Sequence, residues 1–186
     1  MLTKRQKVEG SLFLAGFIAC VPAANWMIGN LGTVCPPGEP CLIPVAPGVM
    51  APSGVVMIGL ALVLRDLVQR RLGVNFAVIG ILIGAAISAL FAPPALVVAS
   101  ATAFLLSEIA DLIVFTPLQK RGLVLAVFVS SIVGLVVDSL LFLYLAFGSL
   151  DFLAGQILGK AWMVVIALPF VHLIRQRDKA LGLEVA

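Results

Sequence analysis

Two carboxylates stand inside a stretch of the sequence that otherwise looks membrane-spanning. Glu108 and Asp111 lie three positions apart in the segment SATAFLLSEIADLIVFTPLQ, residues 100–119, and on a helix they would share one face. An unpaired charge in hydrocarbon costs at least ~2.5 kcal/mol, so acids at such depth normally face a protein interior or a water-filled cavity. The pair therefore indicates a site for a substrate or an ion.

More polar side chains are expected at depth in the other apolar segments. At a rise of ~1.5 Å per helical residue, Asp138 and Lys160 would lie roughly 12–14 Å from the outer ends of their segments. These two segments follow one another in the chain, and consecutive elements are usually neighbours in space. We therefore expect two tiers of polar residues. Asp138 and Lys160 form the outer tier, and Glu108 and Asp111 form a lower tier deeper in the membrane. The predicted substrate-binding residues are Asn25, Glu108, Asp111, Asp138, Gln156 and Lys160.

Arg65 and Asp66 end the second apolar segment, next to Arg70 and Arg71. Arg65 would compensate the acids of the lower tier, because a buried ion needs a partner. The two residues are then an ion pair or part of a gate. The plainer alternative is that Arg65 reaches water at the membrane boundary. For the charges at mid-depth, an ion-pair network with a purely structural role is the alternative to a binding site, and a costly one.

The composition fixes the class of protein that must position these residues. Of 186 residues, 62% are hydrophobic and 11% are charged, and the mean hydropathy is +1.19. This is far more apolar than a soluble globular domain. The formal net charge of +3 is concentrated in short basic clusters between apolar runs, a pattern typical of membrane topology and not of nucleic-acid binding.

The apolar segments predict an all-α integral membrane protein with a single domain, residues 1–186, and six transmembrane helices. The first segment is too long for the apolar core of a signal peptide, so it is expected to remain as a helix. Lys and Arg accumulate in cytoplasmic loops, and their distribution here places both termini in the cytoplasm. Pro93 and Pro94 predict a tight turn. The predicted helices are residues 11–28, 49–67, 76–91, 95–115, 123–147 and 152–174.

Aromatic, cysteine and alanine residues add further hypotheses. Trp26, Phe104 and Trp162 could stack on a planar ligand, although packing or interfacial anchoring is the commoner role of such residues. Cys35 and Cys41 share one outer loop, CPPGEPC, where a disulfide is plausible on the oxidising side of a membrane. Ala15, Ala19 and Ala23 permit close helix packing, by default within the chain and otherwise against a partner.

No motif for nucleotide binding or catalysis is present. The sequence lacks GxxxxGK[ST], GxSxG and HExxH, and its one histidine, His172, lies on the side opposite the loop cysteines. We therefore expect no enzyme activity, no cofactor and no metal site. A charged pocket between membrane helices favours uptake of a solute.

Three motifs carry a resemblance to a known family. They are FLLSEIADLIVF at residues 104–115, the Ser130-Ser131 to Asp138-Ser139 stretch, and Gly159-Lys160. In this order and on these helices they resemble the vitamin uptake transporter family, which includes transporters of queuosine precursors. The likeness covers roughly residues 49–172.

The resemblance implies a fold similar to the substrate-binding components of energy-coupling-factor transporters. It also implies uptake of 7-cyano-7-deazaguanine or 7-aminomethyl-7-deazaguanine across a bacterial inner membrane, for tRNA queuosine salvage. The residues suit such a ligand, because a carboxylate accepts from the ring N–H and amino group of a guanine-like edge while Lys, Asn or Gln donates to its carbonyl.

Several alternatives stay open at this point. The chain could be the substrate-binding component for a vitamin or another purine-like solute, dependent on a separate ATPase module, or it could form a homo-oligomer. A membrane enzyme or assembly factor is the remaining class. The acids Glu108 and Asp111 would interact as a pair, so proton coupling and facilitated diffusion with later trapping are both open. The expected partners are the lipid bilayer and a deazaguanine-type molecule, with no nucleic acid.

Overall fold

A computed structural model describes residues 4–92 and 94–182. The chain is mostly helical, and the helices are joined by short connections. Its one sheet in the described residues is a two-stranded antiparallel hairpin, β1 Leu42–Ala46 and β2 Val49–Pro52. A single 3₁₀ turn, Pro94–Leu96, precedes the fourth helix. The helices are α1 Lys4–Asn30, α2 Val55–Leu72, α3 Val74–Phe91, α4 Val97–Leu118, α5 Leu123–Phe147 and α6 Leu153–Ala180.

Five of these helices are long and apolar enough to cross a membrane: α1, α3, α4 with its preceding turn, α5 and α6. The chain is therefore a multi-pass membrane protein. The exception is α2, whose 18 residues include Arg65, Asp66, Arg70 and Arg71. α2 packs against α1, α3, α5 and α6, and most of its residues are buried. The surrounding helices shield its charges, so α2 tolerates a polar content that a lipid-facing helix could not.

Small residues let α2 and α6 approach closely. A Cβ atom on Gly59 of α2 would lie 2.6 Å from the carbonyl oxygen of Lys160 on α6. Glycine at this crossing removes the side chain that would otherwise hold the two backbones apart. The contact sets the position of Lys160 relative to α2.

The hairpin corrects the predicted start of the second helix. Residues 49–52, expected to begin that helix, form a strand, and α2 begins at Val55. Gly48 adopts φ +73°, a conformation that favours glycine, and it reverses the chain between the two strands. Pro52, which lacks a backbone N–H, ends β2. Apolar composition alone does not separate a short buried strand from a helical turn.

The hairpin is tied to the rest of the chain at several points. The Cys41 amide donates to the Ile28 carbonyl at 2.8 Å, and the Ser53 amide donates to the Cys41 carbonyl at 2.9 Å. Cys35 and Cys41 are joined by a disulfide. The outer loop therefore forms an ordered cap over one end of the helix bundle.

Several other boundaries differ from those predicted. α2 continues to Leu72 and α3 begins at Val74, so the connection expected between residues 67 and 76 shrinks to Gly73. Pro117, expected to close the fourth helix, lies inside α4. α6 continues to Ala180, well past the predicted end at residue 174. Of the predicted Pro93-Pro94 turn, Pro93 lies outside the described residues.

Charged residues join three helices at the end of the bundle opposite the hairpin. Asp178 on α6 accepts two hydrogen bonds of 2.8 Å from the Arg71 guanidinium on α2. Glu9 on α1 lies 3.0 Å from Arg71 and 2.7 Å from Arg177. We call Glu9, Arg71, Arg177 and Asp178 the terminal ion-pair cluster. It places the start of α1 and the end of α6 on the same side of the bundle.

The alanine row on α1 does not pack within the chain as expected by default. Ala15 and Ala19 are exposed and Ala23 is half-buried, whereas the helix buries Phe17, Cys20 and other residues on its opposite side. This face of α1 is available to lipid or to a partner.

Candidate functional site

A pocket of about 50 Å³ lies in the half of the bundle next to the hairpin. Every helix contributes to it: the final turns of α1, α3 and α5 meet the first turns of α2, α4 and α6 there. Apolar residues such as Val21, Ile58 and Phe142 form much of its wall. The polar residues that line it are Asn25, Ser88, Ser100, Asp138, Gln156 and Lys160.

Lys160 is the centre of the polar wall. Its ammonium nitrogen lies 2.6 Å from Asp138 Oδ2 and donates to the Ser139 hydroxyl at 2.9 Å. It also donates to Oε1 of Gln156, one turn earlier on α6. The Lys160 side chain is 1% exposed and that of Asp138 is 9% exposed. The predicted pairing of α5 with α6 through these charges is thus present in the structure.

The predicted residue Asn25 and two serines that were not predicted also line the pocket. The Asn25 amide donates to the Val21 carbonyl of its own helix at 3.0 Å, which turns the Asn25 side chain along α1. Ser88 on α3 and Ser100 on α4 share a hydrogen bond of 2.8 Å, and both line the pocket. These serines were not predicted as site residues, because a lone hydroxyl within an otherwise apolar run is a weak signal.

The aromatic predictions divide between the pocket and the outer surface. Phe104 lines the pocket and stacks on Phe17, with ring centroids 5.9 Å apart. Trp26 is 59% exposed and Trp162 is 53% exposed, and neither lines this pocket. Each tryptophan lies on the lipid-facing side of its helix, and the Trp162 indole donates to the Val45 carbonyl of the hairpin. Phe142 provides the second aromatic wall, which was not among the predicted site residues.

Arg65 lies at the centre of a second charged group, deeper in the bundle. Its guanidinium is 2.9 Å from Asp66 Oδ1, 3.1 Å from Glu108 Oε2 and 2.6 Å from Asp111 Oδ1. All four side chains are at most 1% exposed, so the alternative in which Arg65 reaches water is wrong. We call Arg65, Asp66, Glu108 and Asp111 the buried carboxylate cluster.

Polar and aromatic neighbours support this cluster. The Ser130 hydroxyl on α5 donates to Asp66 Oδ2 at 3.0 Å. Gln69 accepts from Arg65 at 3.3 Å and donates to the Thr116 hydroxyl at 2.9 Å. The Phe115 ring lies 5.8 Å from the guanidinium carbon, within cation–π distance. The guanidinium is therefore held on several sides in one orientation.

The two charged groups are separate but adjacent. Glu108 and Asp111 do not line the pocket and lie deeper than Lys160, as the two predicted tiers imply; their contact with a ligand stays a prediction. α4 connects the groups, because Ser107, next to Glu108 in the chain, lies 3.5 Å from Asp138 Oδ1. The predicted contact of Arg65 with both acids is present, and it depends on how α2 packs against its neighbours.

No set of three or more His, Cys, Asp or Glu side chains with metal-binding geometry occurs within the described parts of the chain. His172 is exposed and hydrogen-bonded to Gln176 at 2.8 Å. The chemistry that the pocket offers is hydrogen bonding and charge pairing with a small polar ligand.

Comparison with known families identifies one similarity. Residues 90–174 match the family described as "Putative vitamin uptake transporter". The match is 85 residues of 186, a little under half of the chain, and it covers α4, α5 and most of α6. These helices carry Glu108, Asp111, Asp138, Gln156 and Lys160. No curated protein and no solved structure matches the chain.

Proposed function

We propose that the chain is a membrane transporter that takes up queuosine precursors, 7-cyano-7-deazaguanine or 7-aminomethyl-7-deazaguanine, through the pocket at the hairpin end. The family match over residues 90–174 supports uptake of a small solute. The polar residues of the pocket suggest the chemical class of that solute.

The observation that carries the proposal is the buried Asp138–Lys160–Gln156 group in the pocket wall. Lys160 is 1% exposed and lies 2.6 Å from Asp138, so both a carboxylate and a cationic donor face the same small space. A deazaguanine presents an amino group, a ring N–H and a carbonyl side by side along one edge. Asp138 would accept from the first two, and Lys160 would donate to the third.

The walls of the pocket suit a flat ring. Phe104 and Phe142 line it together with Val21 and Ile58, and the Phe104 ring is fixed by its stacking on Phe17. Aromatic faces favour offset stacking with another planar ring. The ligand would then be oriented by polar contacts at its edge and by stacking over its face.

Ligand entry would widen the pocket. A volume of about 50 Å³ has room for a few water molecules, less than a deazaguanine requires. The pocket is bounded by the ends of all six helices and by Pro52 of the hairpin, so small movements of these ends would enlarge it.

The two ends of the helix bundle support an orientation of the chain in the membrane. We propose that all six helices cross a bacterial inner membrane, with α2 shielded by its neighbours and both termini in the cytoplasm. The terminal ion-pair cluster, which holds the start of α1 near the end of α6, supports termini on one side. The disulfide of Cys35 and Cys41 at the other end suits an oxidising compartment.

Uptake in living cells tests the proposal. In a bacterium that can neither synthesise nor import these precursors, the wild-type chain should restore queuosine in tRNA when 7-cyano-7-deazaguanine is supplied. Asp138→Asn and Lys160→Met should abolish this restoration at equal expression. Asp151→Asn, which changes an exposed acid in the outer loop, is the matched control and should behave as wild type. Normal uptake by both pocket variants would reject the assignment.

Ligand binding to the purified protein tests the substrate class separately. A compound that binds only the folded form raises its apparent stability. We expect 7-deazaguanines to raise the melting temperature in detergent more than biotin, riboflavin, thiamine or guanine at equal concentration. A larger shift with one of the vitamins would reassign the substrate.

The exposed row on α1 favours one second candidate, a substrate-binding component that works with a separate ATPase module. Ala15 and Ala19 are exposed, and small residues permit close approach of a partner helix. Co-purification with an ATPase module would support this candidate. ATP-independent uptake by the purified chain in lipid vesicles would reject it.

A further inference from the structure

The buried carboxylate cluster carries more negative than positive charge. Three acids, Asp66, Glu108 and Asp111, surround one guanidinium, that of Arg65, at 2.6 to 3.1 Å. None of the four side chains is more than 1% exposed. Water is therefore not available to stabilise the excess charge, and an uncompensated buried ion normally changes its protonation state instead.

Charged groups from the neighbouring helices do not correct this imbalance. Cys20 on α1 lies near Glu108, α3 carries no charged residue, and the only charge on α5 is Asp138. Asp138 is already paired with Lys160 of α6 at 2.6 Å, so that pair is neutral by itself. The excess negative charge remains with the cluster.

The carboxylate of Asp111 has fewer hydrogen-bond donors around it than its two oxygens could accept. Its Oδ1 atom contacts Arg65, but Oδ2 is buried and accepts no hydrogen bond from any described residue. The Ser130 hydroxyl lies beside both aspartates and has one proton to give, which it donates to Asp66 Oδ2 at 3.0 Å. A buried carboxylate oxygen without a donor is the environment in which a carboxyl group retains a proton.

We propose that the buried carboxylate cluster binds one exchangeable proton, shared among Asp66, Glu108 and Asp111, and that ligand uptake is coupled to movement of this proton into the cytoplasm. A proton fits because it requires no space in a packed interior. A metal cation would need room and ligands, and the Arg65 guanidinium already occupies the centre of the cluster.

Two helices connect the proton site to the ligand pocket. On α4, Phe104 lines the pocket, Ser107 reaches Asp138, and Glu108 and Asp111 follow within two turns. On α5, Asp138 is in the pocket and Ser130, about two turns away, holds Asp66. A ligand that draws Asp138 away from its present partners would shift the same helices that hold the carboxylates, which provides a physical route for coupling.

The coupling part of this inference rests on the proposed function, so its test begins with the ligand. Purified protein in lipid vesicles should first be shown to bind 7-cyano-7-deazaguanine; failure to bind would reject the substrate and not the proton site. With binding established, an acidic external medium should increase the initial rate of uptake several-fold and drive accumulation above the external concentration. An equal rate without the gradient, or a response to sodium alone, would overturn the coupling.

Two variants localise the effect. Asp111→Asn and Glu108→Gln each mimic a protonated acid, so they should still bind the ligand, with an affinity that no longer depends on pH, and should lose the response to the pH gradient. Asp151→Asn in the outer loop should keep the full response. A full response in both cluster variants would overturn the inference, and the use of two variants protects the test against misfolding of one.

The proton itself is testable without any ligand. If the folded protein holds a proton that the unfolded chain releases, stability falls as the pH rises above about 4, the ordinary carboxyl pKa in an unfolded chain, because the folded state then binds more protons. The melting temperature of the wild-type protein in detergent should fall more steeply above this pH than that of Asp111→Asn or Glu108→Gln. Identical slopes for wild type and both variants would reject the proton site, whatever the substrate is.

Discussion

Asp138 Oδ2 lies 2.6 Å from Lys160 Nζ in the wall of the pocket, with the two side chains 9% and 1% exposed. The pair joins α5 to α6 and is completed by Ser139 and Gln156. Its two charges neutralise each other where neither could remain ionised alone at low cost. The position and the net charge of the polar wall of the pocket therefore depend on this one ion pair.

The first prediction concerns this pair. Removing one partner leaves the other as a buried, uncompensated charge, so Lys160→Met and Asp138→Leu should each lower the free energy of unfolding by ~3–5 kcal/mol. The double variant should lose less than the sum of the single losses, because it leaves no unpaired ion. Unfolding in detergent with a denaturant series measures all three values. Additive losses would show that the pair is not energetically coupled.

The second prediction concerns Arg65. Arg65→Met leaves three buried carboxylates without their cation, and we expect a loss of at least ~3 kcal/mol of stability or failure to accumulate in the membrane. Arg121→Met, at an exposed position, is the matched control and should change stability by less than about 0.5 kcal/mol. Thermal unfolding of both variants in the same detergent gives the comparison. A stable Arg65→Met protein would mean that the carboxylates do not depend on this residue.

The third prediction concerns the contact between the hairpin and α6. A Cβ atom on Gly155 would overlap the Met50 carbonyl oxygen, so Gly155→Ala should force α6 away from β2. We expect a loss of about 1–3 kcal/mol from overpacking and weaker ligand binding, because Gln156 is the next residue. Gly29→Ala is the control, since no atom lies within 4 Å of its added Cβ. Equal melting temperatures for the two variants would contradict the close packing described here.

The fourth prediction concerns the terminal ion-pair cluster. Arg71→Ala removes both 2.8 Å hydrogen bonds to Asp178 and the 3.0 Å contact with Glu9. The start of α1 and the ends of α2 and α6 should then unfold locally more often. Native-state hydrogen exchange detects this as lower protection of the amides in the last turns of α6. Lys120→Ala, at an exposed position, should leave protection unchanged. Wild-type exchange in Arg71→Ala would show that the cluster does not hold these helix ends together.

The fifth prediction concerns the disulfide of Cys35 and Cys41. The cross-link closes a loop with a sequence separation of 6, for which chain entropy predicts a contribution of about 2 kcal/mol. Reduction should therefore lower the melting temperature modestly and leave the helices intact by circular dichroism. The Cys35→Ser/Cys41→Ser variant should show the same shift and become insensitive to reductant. An unchanged melting temperature in both cases would mean that the hairpin is held by its backbone contacts alone.

Much of the architecture could be predicted because apolar segments and basic clusters are local signals. The fifth helix was expected at residues 123–147, and α5 spans Leu123–Phe147, because a long, mostly apolar run between Gly122 and Gly148 leaves few other boundaries. The start of the second helix was harder to predict. Residues 49–52 are apolar in the same way as the helix that follows, and only their pairing with β1 distinguishes a strand from a helical turn.

The sequence by itself determined that the chain is a multi-pass membrane protein and which charged residues lie within its apolar segments, because length, hydropathy and helical spacing are properties of neighbouring residues. Only the tertiary structure decided that the expected pairs form two separate groups and that Arg65 is buried and does not reach water. Lys160 joins Asp138 at the pocket, whereas Glu108 and Asp111 surround Arg65 in a separate, fully buried cluster. The physical reason is that α2 packs in the interior of the bundle, where its glycine contact with α6 and its buried arginine set distances between residues far apart in the chain.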